Sequence, residues 1–258
     1  MEAVIVNKDN FKSVLDNLNQ EYGKIHTWII DVETNGLDVY SEGTVLCGIG
    51  LTPIVNHAIY DSAPTYYFPV RHNDEQNLTI SDIDDLIQFL NKTCKILVGY
   101  NVKFDAKFLE KEGMDILNMQ MIDVLVMVRM TEPTTVNKLS LLDITIKDYG
   151  DSAGQYDIDT NKILKSNKTD DVRWKDNYSL APIDILGPYC IEDVNCTKRL
   201  YIDRLAKIKG ADMSDLLRLQ CQLSKALYDM ESRGIAIDNN YAKTMHKKIL
   251  LRLKKLEQ

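Results

Sequence analysis

The chain has 258 residues, 45% of them apolar and 27% charged, and a formal net charge of −7. That size allows one large domain, or one domain with part of another, around a proper core. The acidic balance argues against broad, non-specific nucleic-acid binding, which shows as excess Lys and Arg; an acidic cleft filled by divalent cations, which is locally positive, stays possible.

No run of about 18 apolar residues and no charged-then-apolar leader occurs, so the chain reads as intracellular and soluble. Cys47, Cys94, Cys190, Cys196 and Cys221 are odd in number, scattered and without a C-x-x-C pair. Neither a disulfide framework nor a zinc cluster is indicated.

In chain order, "AVIV" predicts a short strand and Phe11 to Leu18 a helix. Strands are predicted at Thr27–Val32, Val45–Leu51 and Val55–Tyr60, close enough together to suggest a meander. Ser81 is a candidate N-cap for a helix with Ile83, Leu86, Ile87 and Leu90 at helical spacing. "KILVGY" predicts a strand, and "VKFDAKFLEKEG" a helix that Gly113 can end. Two helices follow between Met121 and Tyr149. Residues 150 to 179 are polar and weakly periodic, and predict a long loop with a short element inside. Within it, Trp174 reads as a structural side chain ahead of a base-stacking one. Helix resumes from Leu180 to Ile208, with Pro182 in its first turn. Leu216, Leu219, Leu223, Leu227 and Met230 mark one face of a further helix, and Tyr241 to Gln258 form a charged amphipathic one. Strands first and helices later predict an α/β domain with a mixed sheet. "GIG" at Gly48–Gly50 is not a dinucleotide fingerprint, because Pro53 stands where the third glycine would be.

Three short motifs carry the chemistry. In "WIIDVETNGLD" an apolar strand runs into Asp31 and Glu33, which alternation places on one face about 7 Å apart. Two carboxylates side by side repel unless something positive lies between them, and oxygen-only pairs suit Mg²⁺ or Mn²⁺. A solvated strand end is the plain alternative. In "LVGYNVKFDAKFL", Asn101 can cap the next helix and Asp105 lies in its opening turns, where it also suits the helix dipole. In "GPYCIEDVNCTKRLY", Tyr189 and Asp193 are spaced i, i+4 on one helical face, with Glu192 on another.

D-x-E, then N-x-x-x-D, then Y-x-x-x-D, in that order, resembles the DEDD superfamily of 3′–5′ exonucleases, tyrosine branch. A histidine-branch motif would place His at position 188, where this chain has Pro188. "DVETNGLD" and "VGYNVKFD" look like the proofreading domain of family A DNA polymerases. "IDVLVMVRM" and "KLSLLDITIKDYG" are similar to the helical stretch after that family's second motif, and "LSKALYDMESRGIAID" to the segment leading into its polymerase domain. The resemblance covers most of residues 25 to 240 and is loosest over 150 to 179.

The resemblance implies a ribonuclease-H-like mixed sheet flanked by helices, with a helical C-terminal extension. It divides the chain into an N-terminal extension (1–24), an exonuclease domain (25–208) and the helical start of a polymerase thumb (209–258), cut or naturally ended there. It implies two divalent cations, Mg²⁺ or Mn²⁺, about 3.5–4 Å apart around a scissile phosphate. Asp31 would bridge both, Glu33 and Asp193 would complete the first site, and Asp105 would hold the second largely through water. Glu33 would also meet the terminal 3′-hydroxyl, and Tyr189 would orient the attacking water. Thr34, Leu37, Asn101 and Phe104 are the implied substrate-binding residues, Leu37 as a wedge against the terminal base. The implied partners are the single-stranded 3′ end of DNA and a downstream polymerase domain, in the cytoplasm with replicating DNA. A ribonuclease D-like RNA exonuclease and a silent DNA-binding scaffold are the competing readings.

Overall fold

β2 (Thr27–Thr34) is the centre of the molecule, and its side chains are buried on both faces apart from the partly exposed Asp31. This explains its near-continuous apolar run, the mark of a strand covered on both sides. The computed structural model describes residues 2–55, 63–73 and 75–256. Around β2 lie β1 (Ala3–Ile5), β3 (Leu46–Pro53), β4 (Thr65–Pro69), β5 (Ile96–Gly99) and β6 (Gln120–Asp123), in the order β1-β4-β3-β2-β5-β6. β2, β3 and β4 form the antiparallel meander, whereas β5 and β6 run parallel to β2. The sheet is therefore mixed, as predicted. The expected strand at Val55–Tyr60 lies outside the described residues except for Val55.

Helices cover both faces. α1 (Phe11–Tyr22), α2 (Ile80–Thr93) and α3 (Lys103–Lys111) share one core with Trp28, Ile30 and Val32. α4 (Val124–Thr131), α5 (Leu141–Tyr149) and α7 (Ile183–Gly210) share the other with Ile29 and Val98. α6 (Gln155–Ser166) and a hairpin of β7 (Lys168–Thr169) and β8 (Val172–Arg173) precede α7. α8 (Ser214–Arg233) packs against β6 and α3, and α9 (Asn239–Leu256) buries no side chain. The five cysteines are free and buried. No helix of the described residues is long and apolar enough to cross a membrane.

Three expectations need correction. α2 is capped by Thr79, not Ser81: Thr79 and Asp82 bond each other's backbone N–H in a capping box. Residues 150 to 179 are not mainly loop, because they hold the 12-residue α6. The apolar stripe of α8 marks one face as expected, and that face points outward, with Leu219 and Met230 exposed, while Leu217, Cys221, Ser224 and Tyr228 make the buried face. Asn101 does not cap α3: it takes a left-handed φ of 62°, and its N–H goes to Asp123 Oδ1 at 2.9 Å.

Close approach of α7 to the sheet depends on Gly50. Asp31 pairs with Gly50 and Glu33 with Gly48 across the β2–β3 ladder. A Cβ at Gly50 would stand 2.6 Å from Cys190 Sγ and 2.8 Å from Val194 Cγ2, and one at Gly48 would collide with the Tyr67 hydroxyl. Bare backbone at Gly50, opposite Asp31, thus lets α7 lie low over the sheet, and at Gly48, opposite Glu33, it leaves room for Tyr67. Gly50→Ala is expected to destabilise by about 1–3 kcal/mol through overpacking, measured by urea unfolding. An unchanged midpoint would mean that α7 has room to spare.

Candidate active site

β2 positions the first two carboxylates. Asp31 and Glu33 project toward α7, and the ladder register shifts between Glu33 and Thr34, a bulge-like break of the kind common beside sites. One ligand atom each of Asp31, Glu33 and Cys190 lie within 4.8 Å of one another. The Cys190 thiol donates to Asp31 Oδ2 at 3.6 Å. Burial pushes that thiol well up, followed by the charges of Asp31 and Glu33, so Cys190 stays a neutral donor there.

β2 outruns its parallel pairing with β5 after Ile29. The Val32 N–H beyond that point donates to Asp105 Oδ1 at 3.2 Å. Asp105 is 3% exposed, and its Oδ2 is buried without a hydrogen-bond partner. α7 brings Tyr189 and Asp193 from the opposite direction, and Glu192 points away, exposed. Burial, and then the charge of Asp31, raises the carboxyls of both Asp105 and Asp193. Asp31, Glu33, Asp105, Tyr189 and Asp193 therefore meet near the C-terminal end of β2, close enough for the charge of Asp31 to act on Glu33, Asp105 and Asp193.

The electrostatics are unfavourable without a cation. Burial pushes the Asp31 carboxyl up to about 7, against the Cys190 hydrogen bond, which lowers it. Glu33 is raised well above the usual carboxylate range by burial, then by Asp31 and Asp193, and Lys175 opposes this. Asp105 and Asp193 are also raised, burial first. A hard divalent cation fits this donor set: carboxylate oxygens predominate, and Asp105 Oδ2 lacks any partner.

A pH prediction follows from these directions. The folded carboxyls hold protons above their unfolded value of about 4, so the stability this gives is complete below that pH and lost as pH rises through about 7 for Asp31. In EDTA the melting temperature should fall from pH 5 to pH 8, and Mg²⁺ or Mn²⁺ should restore it at pH 8. Scanning fluorimetry checks this; a metal-independent melt across that range would speak against these protonation states.

The four expected substrate residues line two clefts. Leu37 is 87% exposed and borders both. The first, about 270 Å³, is lined by Asn101, Lys103, Phe104 and Lys107, and the second, about 510 Å³, by Thr34, Lys175 and Tyr178. Phe104 packs on Phe108 with ring centroids 5.1 Å apart. The Thr34 hydroxyl donates to Gly36 O at 2.7 Å, closing the turn that presents Leu37.

Sequence reasoning missed three neighbours, Tyr156, Asp157 and Lys175, all in the segment expected to be loop. Tyr156 on α6 donates to Asp193 Oδ1 at 2.5 Å. Tyr189 donates to Asp157 Oδ2 at 3.1 Å. Lys175 donates to the Tyr178 hydroxyl, and its charge favours ionised Glu33. Trp174 packs among Tyr156, Leu164 and Tyr178 and donates to Thr169 Oγ1 at 2.9 Å, in keeping with its structural reading. Only the adjacent Tyr-Asp of α6, repeating the residue types of the third motif, could have pointed to this face.

No family model matches the chain. It is 26% identical over 238 residues to DNA polymerase I of Borreliella burgdorferi, covering 90% of this chain and 23% of that protein. Against DNA polymerase I of Synechocystis it is 24% identical over 240 residues, covering 88% and 21%. The chain thus spans under a quarter of the curated relatives it matches. Among solved structures, Brucella melitensis NrnC with bound Mg²⁺ superposes with a TM-score of 0.55 at 13% identity, covering 91% of this chain and 95% of that one. The apo form of a nuclease superposes with a TM-score of 0.53 at 14% identity, covering 90% and 92%. By sequence the chain is similar to DNA polymerase I, and its ribonuclease-H-like fold is shared with these solved structures.

Proposed function

We propose that this chain, similar in sequence to DNA polymerase I, is a 3′–5′ exonuclease that removes nucleotides from the 3′ end of DNA, using two divalent cations as the proofreading part of a family A polymerase. The observation that carries the reading is that Asp31, Glu33 and Asp105 meet the Tyr189/Asp193 pair near the C-terminal end of β2, with an unpartnered buried Asp105 oxygen among them. In the reading, residues 25 to 208 are the exonuclease and residues 209 to 258 lead toward a polymerase domain; the much greater length of the relatives supports such a partner.

Asp31, Glu33, Asp105 and Asp193 would hold Mg²⁺ or Mn²⁺. Cations bound there supply positive charge to the scissile phosphate and acidity to the attacking water. The chain's own groups do the rest. Tyr189, whose phenol burial and then Asp193 keep protonated, orients that water. Glu33, nearly buried at the strand end, meets the terminal hydroxyl and restricts cutting to chain ends. Leu37, exposed between the clefts, lies against the last base, with Asn101, Phe104 and Thr34 around it. Stacking and backbone contacts of this kind carry little sequence preference. The work is done where DNA is replicated.

The test is digestion of a 5′-labelled single-stranded DNA with Mg²⁺ or Mn²⁺, beside a matched RNA and an Asp105→Ala variant. A ladder shortening from the 3′ end, abolished by EDTA and by the substitution, is expected. RNA degraded as fast as DNA would move the assignment to an RNA exonuclease, and no cleavage by a folded, metal-binding sample would favour a scaffold.

A further inference from the structure

α6 and α7 exchange hydrogen bonds in a crossed pattern. Tyr156 of α6 gives its proton to Asp193 of α7, and Tyr189 of α7 gives its proton to Asp157 of α6. The two rings stand 6.1 Å apart at 49°. Asp157 is itself fixed, since Asn161 Nδ2 one turn later donates to its Oδ1 at 2.9 Å and to its backbone carbonyl at 3.1 Å. Asn161, Asp157 and Tyr189 therefore form a chain of oriented groups that ends at the acidic centre.

A phenol has one proton to donate and lone pairs to accept with. In water the hydroxyl would turn freely and could point its proton at any of the carboxylates nearby. Asp157 limits that freedom: a carboxylate only accepts, so its Oδ2, 3.1 Å away, competes for the Tyr189 proton with Asp193, the other carboxylate on that phenol. The lone pairs of the same oxygen are then left to accept a hydrogen bond from a water at the centre.

We infer that Asp157 is a positioning residue for this exonuclease, setting the direction of the Tyr189 hydroxyl so that its oxygen accepts from the attacking water. The inference rests on the exonuclease reading above. α6 is then a working part of the site, although none of the three motifs lies on it.

The experiment compares kcat and KM on 5′-labelled single-stranded DNA at saturating Mn²⁺ for wild type, Asp157→Ala, Asp157→Asn, Tyr189→Phe and the Asp157→Ala/Tyr189→Phe double variant. Asp157→Asn keeps the shape of the side chain and safeguards the test should the alanine variant not fold. Loss of an outer partner of this kind costs about 10–100-fold in activity. The expected result is a kcat loss of that size for Asp157→Ala, a smaller one for Asp157→Asn, an unchanged KM, and no further loss when Asp157→Ala is added to Tyr189→Phe. Losses that multiply in the double variant, or Asp157 variants working at the wild-type rate, would overturn the inference while the exonuclease reading stands. A wild-type chain that leaves DNA intact would instead overturn that reading, and the inference with it.

Discussion

Asp31→Asn is expected to slow removal of the 3′ nucleotide by at least about 10³-fold, equivalent to about 4 kcal/mol of transition-state stabilisation. Asp31 is the central carboxylate: its charge acts on Glu33, Asp105 and Asp193 alike. An amide of the same shape cannot neutralise a cation shared among them. The fold should tolerate the change, because a neutral side chain removes the repulsion that Asp31 exerts on its neighbours. In EDTA at pH 8 the variant should therefore melt above wild type. The paired readouts separate chemistry from collapse: inactivity with a lowered melting temperature would mean that Asp31 serves the fold, and near-normal activity would remove it from the site.

Arg204→Met should be the most damaging single substitution for stability. Arg204 is 1% exposed, and its guanidinium meets Glu132 Oε1 at 2.8 Å and also bonds Asp148. Glu132 is 6% exposed and keeps a further partner in Lys147 at 2.8 Å. Removing the arginine leaves two acidic groups of low exposure around a cavity-sized apolar side chain. Breaking one side of a buried pair in this way costs about 3–5 kcal/mol, which urea unfolding would read directly. A loss under about 1 kcal/mol would show that water or Lys147 takes over the charges. Replacing the acids as well, with Glu132→Gln and Asp148→Asn, should recover part of the loss.

The features legible in the sequence were those in which local pattern and tertiary placement agree. "WIIDVE" reads as a buried strand carrying two carboxylates because β2 is central and helices cover both of its faces. Tyr189 and Asp193 share a face because α7 is regular through both, even with Pro188 inside it. Where placement departs from pattern, the reading failed. α6 buries only Leu164, so no periodic stripe marks it as a helix. β6 is four residues long and runs straight into α4, which hid it inside the helical signal. β4, "TYYFP", was not picked out as a strand, although every residue in it is buried. Asn101 has the side chain of a cap, but Asp123, distant in sequence, bonds its backbone and sets a left-handed turn instead. Tyr156, Asp157 and Lys175 could not be assigned to the site until the chain between α5 and α7 had a shape.

The interleaving of the sheet has a kinetic consequence. β2 pairs with β3 through a nearby connection, but the helix that completes the site, α7, begins only at Ile183. Contacts between parts so far apart in sequence form late and slow the search for the native state. Refolding from urea should thus restore secondary structure ahead of nuclease activity, and the interval between the two would time the docking of α7 onto the sheet at Gly50.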